Sequence, residues 1–413
     1  MLKAMIVLAL TSFPLLAQDS LPALLRANRR AMHIRADGSL TGAGADLLVN
    51  AGRDAQFFLI GEEHGVAEVP LVTAALFRAL VQHGYRHLAI ETGDALAAAL
   101  NRAIAADSTG DEYLRFLRDH WPGAPFYNWR EEASLLRSAI AAAGGKKDVL
   151  WGLDYDIMAD RYALRRLRDI APNPAARLMA EAVILRADSA LAKAMATQNP
   201  GLIFMFGGPT DVYVQLRKAY SPPPGSEDDR IIRLMEETRA INELFVSKHV
   251  YQSNQRRALL SKQRFMRYLQ EARNERGTLP RVMLKFGASH MMRGRTFTNV
   301  FDLGSLASEV ADASGSRSFG VLMVGGAGSA HAQIDPRVMR SVEAPAEYAE
   351  QDWARPFFEA ANSQGWTVYD LRALRPRIPG LASLPQRTLQ VLYGFDAFVV
   401  LTGSGPQHDL TIR

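Results

Sequence analysis

The stretch Phe57-Phe58-Leu59-Ile60-Gly61-Glu62-Glu63-His64-Gly65 decides how this chain is read. Four apolar residues in a row, without polar alternation, describe a strand buried on both faces, the habit of a parallel sheet. The run passes directly into three ionisable groups. In open α/β sheets ligands bind beyond the carboxyl ends of the strands, so these groups stand where a site forms. Glu62 and His64 share parity and project to one side of an extended chain. Gly61 and Gly65 permit a sharp turn there.

Outward from that stretch the pattern recurs. Residues 87–91, 148–154, 282–287, 319–324, 368–371 and 398–401 are short apolar runs ending in polar or Gly-rich turns. Helical stretches separate the early runs. Val69, Val72, Leu76 and Leu80 share one face before Gly84, and residues 130–143 stop at Gly144-Gly145. This alternation predicts an α/β fold with a mainly parallel central sheet flanked by helices. From residue 157 to about 281 strand signals nearly vanish and Ala, Leu, Arg, Glu and Met dominate. A helical insertion is expected there, inside one domain spanning residues 18–413. Ser221-Pro222-Pro223-Pro224-Gly225-Ser226 breaks it, and apolar residues 202–206 read as a buried turn or a cover over a pocket.

The 413 residues are 48% hydrophobic, enough for a large core, and carry a net charge of +5 with no run of five like charges. Nucleic-acid binders concentrate their basic residues, so no nucleic-acid partner is expected. The absence of cysteine excludes disulfides, thiolate metal sites and a cysteine nucleophile. Lys3, the apolar residues 6–17 and the polar Gln18-Asp19-Ser20 form the pattern of a signal peptide over residues 1–17. Export to a periplasm or medium is therefore expected. No later segment reads as membrane-spanning, and nothing in the pattern fixes an oligomeric state.

Three strand ends deliver chemistry to one edge: Glu62 with His64, Glu91 after Leu88-Ala89-Ile90, and His290 after Phe286-Gly287-Ala288-Ser289. Asp154 ends a further run and joins the site candidates, whereas Asp94 and Asp156 read as helix caps. Trp129 and its aromatic neighbours line a pocket or pack at a helix start. His33 and His331 are unassigned, and the remaining histidines read as surface or capping residues. A histidine beside a carboxylate is a general base, and a second histidine can hold a developing oxyanion. The same Glu62, His64, Glu91 and His290 are equally ligands for zinc, manganese or iron, so a divalent metal stays open and no cofactor is assured. No Gly-x-Ser-x-Gly elbow, dinucleotide fingerprint or phosphate loop follows a strand. A small-molecule substrate is the expected partner.

These residues resemble the erythromycin esterase family and its wider ChaN-like and Tiki-type relatives. The matching pieces are Gly61-Glu62-Glu63-His64-Gly65, Glu91-Thr92-Gly93-Asp94, Trp129 with Glu132, Gly152-Leu153-Asp154, the basic helix after Asn254, Gly287-Ala288-Ser289-His290 and Tyr393-Gly394-Phe395-Asp396-Ala397-Phe398. The resemblance implies water activation by His64, with Glu62 and Glu91 around it and His290 nearby, acting on an ester or lactone. It implies substrate contacts from Asp154, Trp129, Glu132 and one cation among Arg257, Lys262 and Arg264, here taken as Arg264. From the Tiki side it implies a metal-dependent peptidase, and from the ChaN side haem or iron binding, with Met291 and Met292 beside His290 as further ligands. Glu63 departs from the esterase pattern, where a small residue is more usual.

Overall fold

The computed structural model describes residues 20–106, 110–145, 148–377 and 384–411. The export signal expected over residues 1–17 lies outside the described residues. The strands are β1 (Arg29–Ile34), β2 (Leu40–Thr41), β3 (Phe57–Glu62), β4 (Tyr85–Ile90), β5 (Leu150–Gly152), β6 (Arg281–Gly287), β7 (Ser318–Gly325), β8 (Ala330–Asp335), β9 (Arg340–Pro345), β10 (Trp366–Asp370) and β11 (Ala397–Leu401). Nine form one sheet in the order β2-β1-β10-β11-β7-β3-β6-β4-β5. From β11 to β5 every neighbouring pair is parallel. At the other edge β10, β1 and β2 join antiparallel. Every run read as a strand is in the sheet, although residues 368–371 enter it antiparallel. β1 escapes sequence reading because only Met32 of its six residues is buried.

β3 sits at the centre, buried along its whole length. Its side chains alternate between two cores. Phe58 and Ile60 join the apolar cluster that includes Leu76 and Leu80 of the helix Glu68–Val81, while Phe57 and Leu59 join one that includes Phe265 and Leu303. Continuous hydrophobicity is thus satisfied by helices on both faces. Glycine ends the early helices as read: Gly84 follows the helix Glu68–Val81 at φ +93, and Gly144 follows Arg130–Ala142 at φ +84.

Between β5 and β6 the described chain is helical throughout, with Asp160–Asp169, Pro174–Thr197, Asp211–Tyr220, Glu227–Val246 and Val250–Arg276 as its longer members. Asn173 and Ser226 cap two of them, each accepting a backbone N–H. Residues 202–206 end in a short turn, Phe204–Gly207, with Phe204 and Met205 buried. Ile203 and Phe206 face a cavity at the carboxyl ends of the strands. The antiparallel hairpin β8–β9 forms another wall of that cavity. Among the described residues no helix is long and apolar enough to cross a membrane.

Candidate active site

The parallel register explains why the chemistry converges. Glu62, the last residue of β3, pairs with Gly287 of β6, and β6 pairs with β4, which ends at Ile90 just before Glu91. Glu62, His64, Glu91 and His290 therefore surround one cavity of about 790 Å³. A separate cleft of about 840 Å³ lies among the helices near Arg166, Glu227 and Arg267. Ion pairs such as Arg166–Glu227 and Arg267–Asp94 line it.

His64 Nδ1 lies 3.0 Å from Glu62 Oε1. An ionised carboxylate only accepts, so Nδ1 carries a proton, and in the neutral ring Nε2 keeps its lone pair. Nε2 faces Glu91 Oε2 at 3.5 Å. A Cβ at Gly287 would stand 2.7 Å from that nitrogen, so glycine leaves the ring its place. Burial opposes charging of the ring, but the Glu91 and Glu62 carboxylates outweigh it and raise His64 above its ordinary value.

His290 approaches Glu91 from the other side, with Nε2 3.6 Å from Oε1. Its Nδ1 is held at 2.8 Å by Asp302, a buried residue that also caps the helix Leu303–Ala313. Burial and Arg257 disfavour the imidazolium, yet Asp302 and Glu91 together raise its pKa. Glu91 itself is bound by Arg257 Nη2 at 2.6 Å and by the Gly287 N–H at 2.6 Å. Against the cost of burial, His64, His290 and Arg257 pull its carboxyl down to about 2.

Asp302 was missed in the sequence because a helix-capping aspartate there has no distinguishing mark. It offers a clean prediction. Asp302→Asn preserves the carbonyl oxygen that accepts the Leu303 N–H but removes the charge that favours His290⁺. Turnover should fall by about 10–100-fold, through weaker anion stabilisation, while the melting temperature changes little. An unchanged kcat would remove His290 from the chemistry.

Beneath the cavity lies a buried chain of charges. Lys285 Nζ contacts Glu62 Oε1 at 2.7 Å and Glu132 Oε1 at 2.6 Å. Burial, with Glu62 nearby, outweighs Lys285 and pushes the Glu132 carboxyl up. Glu132 therefore sits behind Glu62 rather than on the cavity wall, which corrects its reading as a substrate contact. Asp154 is likewise engaged with Arg257, whose Nε lies 2.9 Å from Oδ1. Arg264 is not the cation of the site. It donates to the Asp154 carbonyl and faces Asp94 at 3.6 Å, while Arg257, two turns earlier, lines the cavity. Trp129 does line it, its Nε1 donating to Ser341 Oγ at 2.5 Å.

Asp94 is the first residue of its helix, where its carboxylate accepts the Ala95 N–H at 3.0 Å and is also held by Arg267 at 2.9 Å. Other residues also differ from expectation. Asp156 is buried, accepting from the Thr92 hydroxyl at 2.6 Å, and burial raises it to about 6. His87 is a core residue stacked on Trp151. His331, unassigned in the sequence, donates from the hairpin to the His64 carbonyl at 3.2 Å. Glu63 anchors the same hairpin, accepting from the Gly325, Glu347 and Tyr348 N–H groups. Burial nevertheless raises its carboxyl to about 7.

Glu62, His64, Glu91 and His290 are also the residues expected as ligands for a metal ion. Among the described residues no group of three or more His, Asp or Glu side chains is arranged to hold one. Lys285 holds Glu62 Oε1 and Arg257 holds Glu91 Oε1. Met291 and Met292 are fully buried in the apolar core beneath the site, so neither reaches a haem.

No family model and no curated protein sequence matches the chain. Solved structures do. An erythromycin esterase variant, EreC, in its open conformation is 15% identical with a TM-score of 0.57, over 89% of this chain and 95% of that one. A succinoglycan biosynthesis protein is 12% identical with a TM-score of 0.60, over 95% of this chain and 99% of that one. A Bacillus cereus protein is 13% identical with a TM-score of 0.59, over 95% and 98%. Over nearly its whole length, then, this chain shares the fold of an erythromycin esterase.

Proposed function

We propose that this protein is a hydrolase in which His64 takes a proton from water as the water attacks the carbonyl of an ester, lactone or related small molecule. The observation that carries the reading is the orientation of His64. Its Nδ1–H is committed to Glu62, which Lys285 holds in place, and its Nε2 faces the cavity, 3.5 Å from Glu91 Oε2. As the water oxygen bonds to carbon, the carbonyl electrons move to oxygen. His290, whose imidazolium Asp302 favours, and the nearby Arg257 stabilise that oxyanion. Collapse expels the alcohol, which takes its proton from the His64 imidazolium. No step calls for a metal. The apolar walls, among them Ile157, Ile203, Phe206 and Met339, suit a largely apolar substrate. The fold shared with an erythromycin esterase supports the hydrolytic reading, and residues 1–17 support action outside the cytoplasm.

The test is a pH profile on a panel of p-nitrophenyl esters and lactones, with the enzyme dialysed against chelator. Only neutral His64 can accept a proton, and its pKa lies above the ordinary 6.5. Activity should rise with pH through a midpoint above 6.5. In Glu91→Gln the midpoint should move down, because the largest influence raising His64 is gone. Chelator-sensitive activity, or a limb that ignores Glu91→Gln, would count against the proposal.

A further inference from the structure

Phe126 has a backbone that its packing does not explain. It sits at φ +69, a left-handed conformation in which a bulky side chain is a steric outlier. The turn is held on both sides. Asn128 N–H donates to the Ala124 carbonyl at 3.1 Å, Trp129 N–H donates to the Phe126 carbonyl at 2.9 Å, and the Tyr113 hydroxyl donates to the Tyr127 carbonyl. The ring gains no deep burial in exchange, since it is half-buried on the cavity wall. Its partner is the base. The Phe126 and His64 rings stack with centroids 4.6 Å apart and planes 11° from parallel. Trp129 stands beside Phe126 at 5.3 Å and 54°.

We infer that Phe126 is a positioning residue for His64, its ring held by a strained turn so that it fixes the tilt of the imidazole and covers one face. Glu62 and Glu91 meet the ring at its edges. Hydrogen bonds tolerate tens of degrees of misalignment, so edge contacts alone leave out-of-plane tilt loose. A parallel ring in stacking contact removes that freedom. Its π face also favours the imidazolium that forms as His64 takes the proton. Strain of this kind persists where the surroundings over-determine it, commonly at functional sites.

The kinetic part of this inference rests on the hydrolase reading; its structural part does not. Glycine adopts φ +69 without steric cost, so F126G should melt no lower than wild type. Its kcat on p-nitrophenyl butyrate should nevertheless fall by about 10–100-fold, the scale of a misplaced catalytic group, with KM moving less. F126L, which keeps apolar bulk but no ring, should behave alike, and F126Y should restore the rate. Independently of substrate, the His64 carbon-bound ring protons, assigned with H64A, should resonate upfield in wild type and F126Y. In F126L they should shift downfield and broaden. A marked fall in melting temperature for F126G with kcat unchanged would make Phe126 a packing residue. Unshifted His64 resonances in F126L would also overturn the inference, whatever the substrate. An active H64A would strike His64 as the base, and with it the kinetic part of the inference alone.

Discussion

His64→Ala should lose about 10²–10⁴-fold in kcat/KM on the esters the wild type hydrolyses, the range for removal of a general base. Most of the loss should fall on kcat, because in the proposed mechanism His64 acts on the attacking water, and its removal leaves the apolar walls of the cavity untouched. The fold should survive. His64 lies after β3 with a third of its side chain exposed, and its removal leaves Glu62 paired with Lys285 and Glu91 paired with Arg257. Equal melting temperatures for variant and wild type would confirm that the kinetic loss is chemical. Added imidazole should recover part of the rate, since the alanine leaves room between Glu62 and Gly287. Activity within a few-fold of wild type would remove His64 as the base and the proposed mechanism with it. His290 and Asp302 would then be the pair to test, because Nδ1 of His290 is equally committed to a carboxylate.

Much of this arrangement is legible in the sequence because parallel sheets write their cores as unbroken apolar runs. β3, β4 and β6 announce themselves in that way, and the residue after each run lands at the same edge. The antiparallel edge is less legible: β1 has one buried residue in six, and β8–β9 is a half-exposed hairpin whose pattern resembles a loop. Arg257 and Arg264 are seven residues apart and share a helix face, so periodicity cannot say which turn, about 10 Å from the other, reaches the site. Lys285 was visible but unread. A lone charge inside Val282-Met283-Leu284-Lys285-Phe286-Gly287 must have a buried partner. Its two partners come from β3 and from the helix Arg130–Ala142, an association that exists only in the folded chain.

Lys285→Met should be the most damaging single change to stability, by on the order of 3–5 kcal/mol. Methionine fills the same space but leaves Glu62 and Glu132, 5% and 2% exposed, facing each other without a cation. One of them must then fold protonated, which strengthens the acid-favouring pH dependence that the raised Glu132 carboxyl already carries in wild type. In wild type Lys285, opposing the cost of burial, holds the Glu62 carboxyl below its ordinary 4.5. That contribution is present above pH 4.5 and is lost as the pH falls through the depressed value. In Lys285→Met the carboxyl forced to stay neutral has a raised pKa, so its stability is present below pH 4.5 and lost as pH rises. The variant should therefore approach wild type in acid and diverge at neutral pH, as read from denaturant midpoints. Adding Glu62→Gln and Glu132→Gln should recover much of the stability by removing both buried charges, without recovering turnover, because His64 would lose the anion that fixes its tautomer and supports its charge. Recovered turnover in the triple variant would mean that the buried charges serve the fold alone. Recovered stability without turnover would mean that a buried triad, costly for folding, is kept to set the state of the base.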